Sequence, residues 1–173
     1  SLMENGSVYC WGEGSSGRLG NGDTNDRYSP TKVIGLSDAI QVSSGKYHSC
    51  AVMDNGSAYC WGLGTSGQLG NGDQYGGENA GEFYEPQLVH NSSSDNPPLG
   101  VFSSISAGEA HSVFLTSDGE VWTCGAGEHG RNGNGESSDV LKPEPVTALD
   151  DVEIVEAQAG SAFTVTRCSE GLV

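Results

Sequence analysis

Apolar and polar positions along residues 45–70, GKYHSCAVMDNGSAYCWGLGTSGQLG, fall into two short runs around a polar turn. Residues 46–52 and 57–62 are rich in Tyr, Val, Cys and Trp, which is strand composition, and Asp54-Asn55-Gly56 supplies the turn between them. With Gly56 in the left-handed position of a three-residue loop, the numbers of facing residues sum to 110, so Met53 opposes Ser57 and Cys50 opposes Cys60. Counting outward from the turn makes Cys50 and Cys60 a close, non-hydrogen-bonded pair within disulfide range. No window spaces its apolar residues as a helix does, and 27 glycines in 173 residues would be costly inside helices. The prediction is an all-β chain.

The pattern recurs. Asn5-Gly6-Ser7-Val8-Tyr9-Cys10-Trp11-Gly12 returns 50 residues on, ending in Trp61-Gly62, and a further 63 on as Asp118-Gly119-Glu120-Val121-Trp122-Thr123-Cys124-Gly125. A fourth copy begins at residues 169–173. Each copy continues through a glycine-rich segment (17–23, 67–73, 130–136), a Pro-x-x-Val step (30–33, 86–89, 143–146) and a short apolar strand (39–42, 101–105, 152–157) that closes at Gly45, Gly108 or Gly160. Some four short strands per unit, recurring near every 50 residues, is the layout of a propeller blade. The units run over about 1–44, 45–107 and 108–159, with 160–173 incomplete. Neither end falls on a unit boundary, so the expectation is a segment of a longer protein. The offset between copies grows from 50 to 63, so the second copy carries 13 more residues than the first, six in 74–84 and seven in 90–100. Both insertions are polar and rich in Gly, Asn, Ser and Pro, and read as surface loops on a kept framework.

Charge narrows the partners. A net charge of −16, with seven scattered basic residues, argues against a phosphate-binding surface for nucleic acid and against an anionic membrane surface. In copy two both hairpin positions are cysteine, whereas in copy three they are Val113 and Thr123. Paired thiols would be gained or lost together in this way, so a Cys50–Cys60 disulfide and an oxidising compartment (extracellular, periplasmic or cell surface) are expected, with the cytoplasm as the alternative. Cys124 stands where the other copies have Trp11 and Trp61, and Cys168 aligns with Met53.

Several constellations read as framework rather than chemistry. His48 and His111 share a repeat position at which copy four has Phe163, which points to packing, and no metal-ligand spacing accompanies them. Asp23-x-Asn25 lacks the glycine and glutamate of a calcium loop, and turn chemistry accounts for it equally well. Gly12-x-Gly14-x-x-Gly17 and its copies fit a dinucleotide spacing, but no helix pattern follows them. Of the sequons at Asn5, Asn55 and Asn91, only the last lies in an inserted loop. No nucleophile stands out, and neither a metal nor a cofactor is expected.

The unit Gly-x-x-His-Ser-x-Ala-x-x-x-x-Gly-x-x-Tyr-x-Trp-Gly-x-Gly-x-x-Gly-x-Leu-Gly, written from Gly45 to Gly70, resembles the repeat of the regulator of chromosome condensation family. The resemblance covers the chain apart from the two insertions. It implies a propeller, usually seven-bladed, of four-stranded antiparallel blades, of which this chain holds about three and a half. It also implies that Gly45, His48, Gly56, Trp61, Gly62, Trp11, Gly12, Gly108, His111 and Gly119 are structural positions. The family's founding member is an exchange factor for the small GTPase Ran that also docks on nucleosomes, and similar propellers serve as a plant ultraviolet receptor, a bacterial β-lactamase inhibitor and interaction modules. The chain departs from the nuclear type in lacking a basic tail in the portion seen, and its Cys-Trp-Gly hairpins look like secreted or surface versions.

Fold alone does not fix function. The reading is a non-enzymatic scaffold that presents loops 74–84 and 90–100 to a protein partner, with Tyr75, Phe83 and Tyr84 as anchors. The alternatives are exchange on a small GTPase and, more weakly, carbohydrate or cell-wall binding.

Overall fold

The computed structural model describes residues 1–74, 81–90 and 101–169. Among these residues twelve strands form four antiparallel sheets in chain order. The first pairs β1 (Tyr9–Gly12) with β2 (Arg27–Lys32). The second is β3 (Ala39–Ser44), β4 (His48–Met53), β5 (Ala58–Leu63) and β6 (Glu82–Leu88), side by side in that order. The third repeats it with β7 (Phe102–Ala107), β8 (His111–Thr116), β9 (Val121–Gly125) and β10 (Val140–Pro145). The last pairs β11 (Ile154–Ala159) with β12 (Thr164–Cys168). Four-stranded meanders stacked face to face in this way are the blades of a partial β-propeller.

The hairpin register follows from its turn. Gly56 sits at φ +79°, its N–H donates to the Met53 carbonyl at 2.9 Å, and the Met53 N–H donates to Ser57 at the same distance. His48 through Val52 then oppose Gly62 through Ala58, each facing pair summing to 110. Cys50 and Cys60 face each other with Cα atoms 4.1 Å apart and are joined by a disulfide. Closing so short a loop contributes about 2–3 kcal/mol. Replacing both cysteines with alanine is expected to lower stability by about that amount, and reductant should then shift the unfolding midpoint of the parent but not of the variant.

Burial on both faces explains the composition of the central strands. β4 and β8 are buried at every position, and alternate residues of β4 feed different cores. Cys50 and Val52 join Leu69, Phe102, Ile105, Phe114 and Trp122 between the second and third sheets. Ala51 and Met53 join Val8, Val33, Leu36 and Trp61 between the first and second. Each core therefore belongs to two consecutive repeats and to neither alone.

Polar groups tie the same neighbours. Ser112 Oγ donates to the Gln68 carbonyl at 2.7 Å, so its only hydrogen is used, and His48 Nε2, 2.9 Å away, must be the donor to it. One blade on, Thr164 Oγ1 donates to the Arg131 carbonyl at 2.9 Å and accepts from His111 Nε2 at 3.2 Å. Burial, and then the charge of His111, pushes the His48 pKa down to about 3; burial and Arg131 push that of His111 down to about 4. Both rings are neutral, with Nδ1 buried and unpartnered. Gly45 and Gly108 lie against these rings, where a Cβ would also overlap the Gly108 and Gly160 carbonyls of the following blade. The expectation that His48 and His111 only pack thus needs one addition: each also donates a hydrogen bond into the next blade.

Trp61 makes the reverse contact. It is buried, donates from Nε1 to the Arg18 carbonyl at 3.0 Å, and lies on Gly20 of the preceding blade. Trp11, at the same repeat position, is 52% exposed. In the third sheet Cys124 takes the place and lies on Gly70. Gly12, Gly62 and Gly125 lie at or next to the ends of β1, β5 and β9 at φ near +110°, and Gly119 at φ +86° turns the β8–β9 hairpin as Gly56 turns the β4–β5 hairpin. The inner edge strands are closed by side chains: Gln41 and Ser43 accept from the Ile105 and Ala107 N–H groups, and Ser106 accepts from Ala159.

Candidate functional site

Antiparallel order puts two kinds of connection on each face of the propeller. One face carries the β3–β4 and β7–β8 turns together with the glycine-rich β1–β2, β5–β6 and β9–β10 loops. In these loops Gly14 and Gly127 N–H groups are held by Asp26 and Asp139 carboxylates at 3.0 and 3.1 Å, and the segments at Ser15–Gly17 and Glu128–Gly130 are single 3-10 turns. The glycine spacing is thus loop framework, with no helix behind it to cradle a phosphate. The Asp23 carboxylate accepts from the Asn25 N–H at 2.9 Å and pairs with Arg27 at 2.7 Å, and Asn71 and Asn134 make the same side-chain turn, so these residues are turn formers. Asn5 and Asn55 do likewise for Ser7 and Ser57; Asn91 lies outside the described residues.

The other face is made by the turn before β1, the β4–β5 and β8–β9 turns and the connections that enter β3, β7 and β11. Backbone bonds sew turn to connection: Ala39 to Gly6, Asp54 to Asp38, Phe102 to Gly56 and Ser117 to Val101. These segments bear Glu4, Asp38, Asp54, Asp118, Glu120, Asp150, Asp151 and Glu153, and among the described residues they bear no Lys or Arg. Around the third sheet the carboxylates rim a cleft of about 510 Å³. Its walls include Val121, Trp122, Val146 and Leu149, and Trp122 donates from Nε1 to Glu120 at 3.1 Å. Apolar walls under a carboxylate rim suit a Lys or Arg side chain, whose aliphatic stem packs while its charged head meets the acids.

The expected anchor residues lie elsewhere. Phe83 and Tyr84 are in β6, not in a loop. Phe83 is partly buried and packs against the core between the second and third sheets. Tyr84 covers Gly17 of the preceding blade and donates to Glu82 at 3.2 Å. Tyr75 and most of both inserted loops lie outside the described residues. No signal in single residues marks the acidic cleft, because residues 118–122 and 145–153 come together only through strand order. The Cys10 and Cys124 thiols are pushed up by burial, which keeps them protonated and poorly nucleophilic. Among the described residues no group of His, Cys, Asp and Glu is arranged to hold a metal ion, and no helix is long and apolar enough to cross a membrane.

Comparison with known proteins gives one consistent match. The family model of the regulator of chromosome condensation (RCC1) repeat matches residues 5–52, 55–115 and 118–166. The E3 ubiquitin-protein ligase HERC2 of Homo sapiens is 30% identical over 189 aligned residues, covering 100% of this chain and 4% of its own length. The regulator of chromosome condensation of Xenopus laevis is 30% identical over 95% of this chain and 38% of its own length. The crystal structure of Prp20p from Saccharomyces cerevisiae superposes with a TM-score of 0.80 at 23% identity, covering 96% of this chain and 40% of that one. The chain therefore spans well under half the length of each of these proteins.

Proposed function

Because the chain belongs to the regulator of chromosome condensation repeat family, we propose that it is a non-catalytic protein-interaction scaffold whose acidic face docks a Lys- and Arg-rich segment of a partner protein. The observation that carries this reading is the distribution of cations: among the described residues the turns and connections of this face bear carboxylates and no Lys or Arg, with Lys32 at the end of β2 beside them, and one cleft there pairs apolar walls with a carboxylate rim. Such complementarity steers encounter and selects partners more than it raises raw affinity. Histones, which Prp20p is described as binding, are rich in Lys and Arg and make a suitable first probe.

Binding of a histone-tail peptide to the intact protein, followed by fluorescence anisotropy, should weaken steeply with salt. Changing Asp150, Asp151 and Glu153 to Asn, Asn and Gln should weaken it about tenfold near physiological salt while leaving thermal unfolding in place. Unchanged affinity in that variant would remove the acidic face from the reading.

The 30% identity to the Xenopus regulator favours a second reading, nucleotide exchange on a small GTPase, the activity of the family's founding member. It predicts faster nucleotide release from a GTPase when the protein is added, which a scaffold alone would not give. The disulfide supports an oxidising compartment for the chain, and differential alkylation of protein from its native source would test this.

A further inference from the structure

We propose that the cleft beside Arg131, on the glycine-loop face opposite the acidic one, is a carboxylate-binding site that takes an Asp or Glu side chain from a partner segment. The comparison that points to it is internal to the chain. Arg18 and Arg131 occupy the same position of the repeat, in Gly12-Glu13-Gly14-Ser15-Ser16-Gly17-Arg18 and Gly125-Ala126-Gly127-Glu128-His129-Gly130-Arg131. Both donate from Nε to the carbonyl three residues back, Ser15 or Glu128, at 2.9 Å. There the likeness ends.

Arg18 is satisfied within the fold. Its NH1 donates to Glu13 at 3.1 Å, its NH2 to Ser15 Oγ at 2.7 Å, and its guanidinium lies 5.3 Å from the centre of the Tyr47 ring. The equivalents of these partners around Arg131 are Ala126, Glu128 and Ala162, so the repeat has lost the acid, the hydroxyl and the ring. What remains is the Glu128 carboxylate, 3.7 Å from NH2 and on a side chain 79% exposed. Yet the Arg131 side chain is only 7% exposed. Among the described residues its terminal nitrogens have no hydrogen-bonded acceptor, and they are not sealed in but open onto the neighbouring cleft, where an incoming acceptor would meet a largely desolvated guanidinium. The two alanines that removed its partners also line an open cleft of about 400 Å³, walled on the other side by Thr65, Ser66 and Gln68 of the preceding blade.

The fork of a guanidinium matches a planar carboxylate with two parallel hydrogen bonds. A phosphate dianion fits less well, because Glu109 and Glu128 flank the cleft. Glu109 lies near enough to feel the charge of Arg131, but its hydrogen bonds go to Lys46 at 2.6 Å and Ser161 at 2.7 Å, while the Glu128 side chain is exposed and free to swing into solvent. The site is independent of the acidic face and would give the propeller a second, oppositely charged point of attachment.

Saturation-transfer NMR on the intact protein, with N-acetylglutamate N-methylamide as probe, tests the assignment. The expected result is a saturable signal that is absent with the corresponding glutamine diamide and falls at least fivefold in Arg131→Gln. Because that change could disturb packing, a second variant rebuilds the Arg18 surroundings: Ala126→Glu with Glu128→Ser keeps the arginine, fills its fork from within and should abolish binding with the unfolding midpoint unchanged. Binding that survives in this double variant would overturn the proposal, as would the absence of saturation in the parent. Displacement of the probe by inorganic phosphate at lower concentration than by acetate would overturn the carboxylate assignment in favour of a phosphate site.

Discussion

Replacing Trp61 with alanine is expected to cost about 3–5 kcal/mol, the range for removing a fully buried large aromatic from a core. The side chain fills the space between the first and second sheets beside Val8, Val33 and Leu36, and its indole N–H is one of two donors on the Arg18 carbonyl, the other being Ser49. Alanine would leave a void that Gly20 cannot close, since Gly20 has no side chain and its neighbours are fixed by the loop. Trp61→Phe should retain most of the packing and lose chiefly the hydrogen bond, about 1 kcal/mol. Urea unfolding followed by circular dichroism distinguishes the two. A change below about 1 kcal/mol for alanine would mean that the interface relaxes to fill the void. Cysteine at this position, as in the third sheet, is not expected to rescue it, because there Phe102, Phe114 and Trp122 occupy the corresponding core.

The second large effect is one of pH. His48 and His111 are neutral in the fold with pKa values near 3 and 4, whereas an unfolded histidine titrates near 6.5. Their contribution is therefore intact above about pH 6.5. It is lost as the pH falls toward the folded values, because the unfolded chain takes up protons that the folded chain refuses. At pH 5 the loss is about 2 kcal/mol for His48 and up to the same for His111. Asp23 and Glu109 have carboxyl pKa values lowered below the usual range, by hydrogen bonding to the Asn25 backbone and to Lys46 respectively, so their effects fall at more acid pH and leave the window from 6.5 to 4.5 to the histidines. His48→Phe combined with His111→Phe should be somewhat less stable at neutral pH yet show a much flatter decline across that window. The fourth copy has phenylalanine at this position, Phe163, though there it is exposed rather than buried. An equally steep decline in the double variant would assign the acid sensitivity to other groups.

Local chemistry was readable from the residues wherever a turn fixed it. Asp54-Asn55-Gly56 set the register of the β4–β5 hairpin and with it the opposition of Cys50 and Cys60. The relay from His48 was hidden because its acceptor, Ser112, is 64 residues away in the next copy. A signal was nonetheless present, since a hydroxyl residue follows this position in each copy: Ser49, Ser112 and Thr164. The reading of Phe83 and Tyr84 as loop residues came from counting them into the insertion. Their spacing to Pro86 matches that of Arg27 and Tyr28 to Pro30, and of Val140 and Leu141 to Pro143, which places them in the outer strand. The charge segregation and the bared fork of Arg131 could not be read from any one copy; the first needs the strand order, and the second appears only when Arg18 is set beside Arg131.

The direction of the histidine relay bears on how such a chain can grow. His48 reaches forward to a hydroxyl that its own unit does not own, and that unit's hydroxyl, Ser49, bonds backward to the Arg18 carbonyl. The second and third repeats thus each carry one plug and one socket of the same pattern. A duplicated copy inserted between two others meets compatible surfaces on both sides from the moment it arises. Gene duplication can then lengthen or renew the array without a new interface having to evolve, and what selection must alter afterwards is confined to loops and exposed positions such as Ala126 and Glu128.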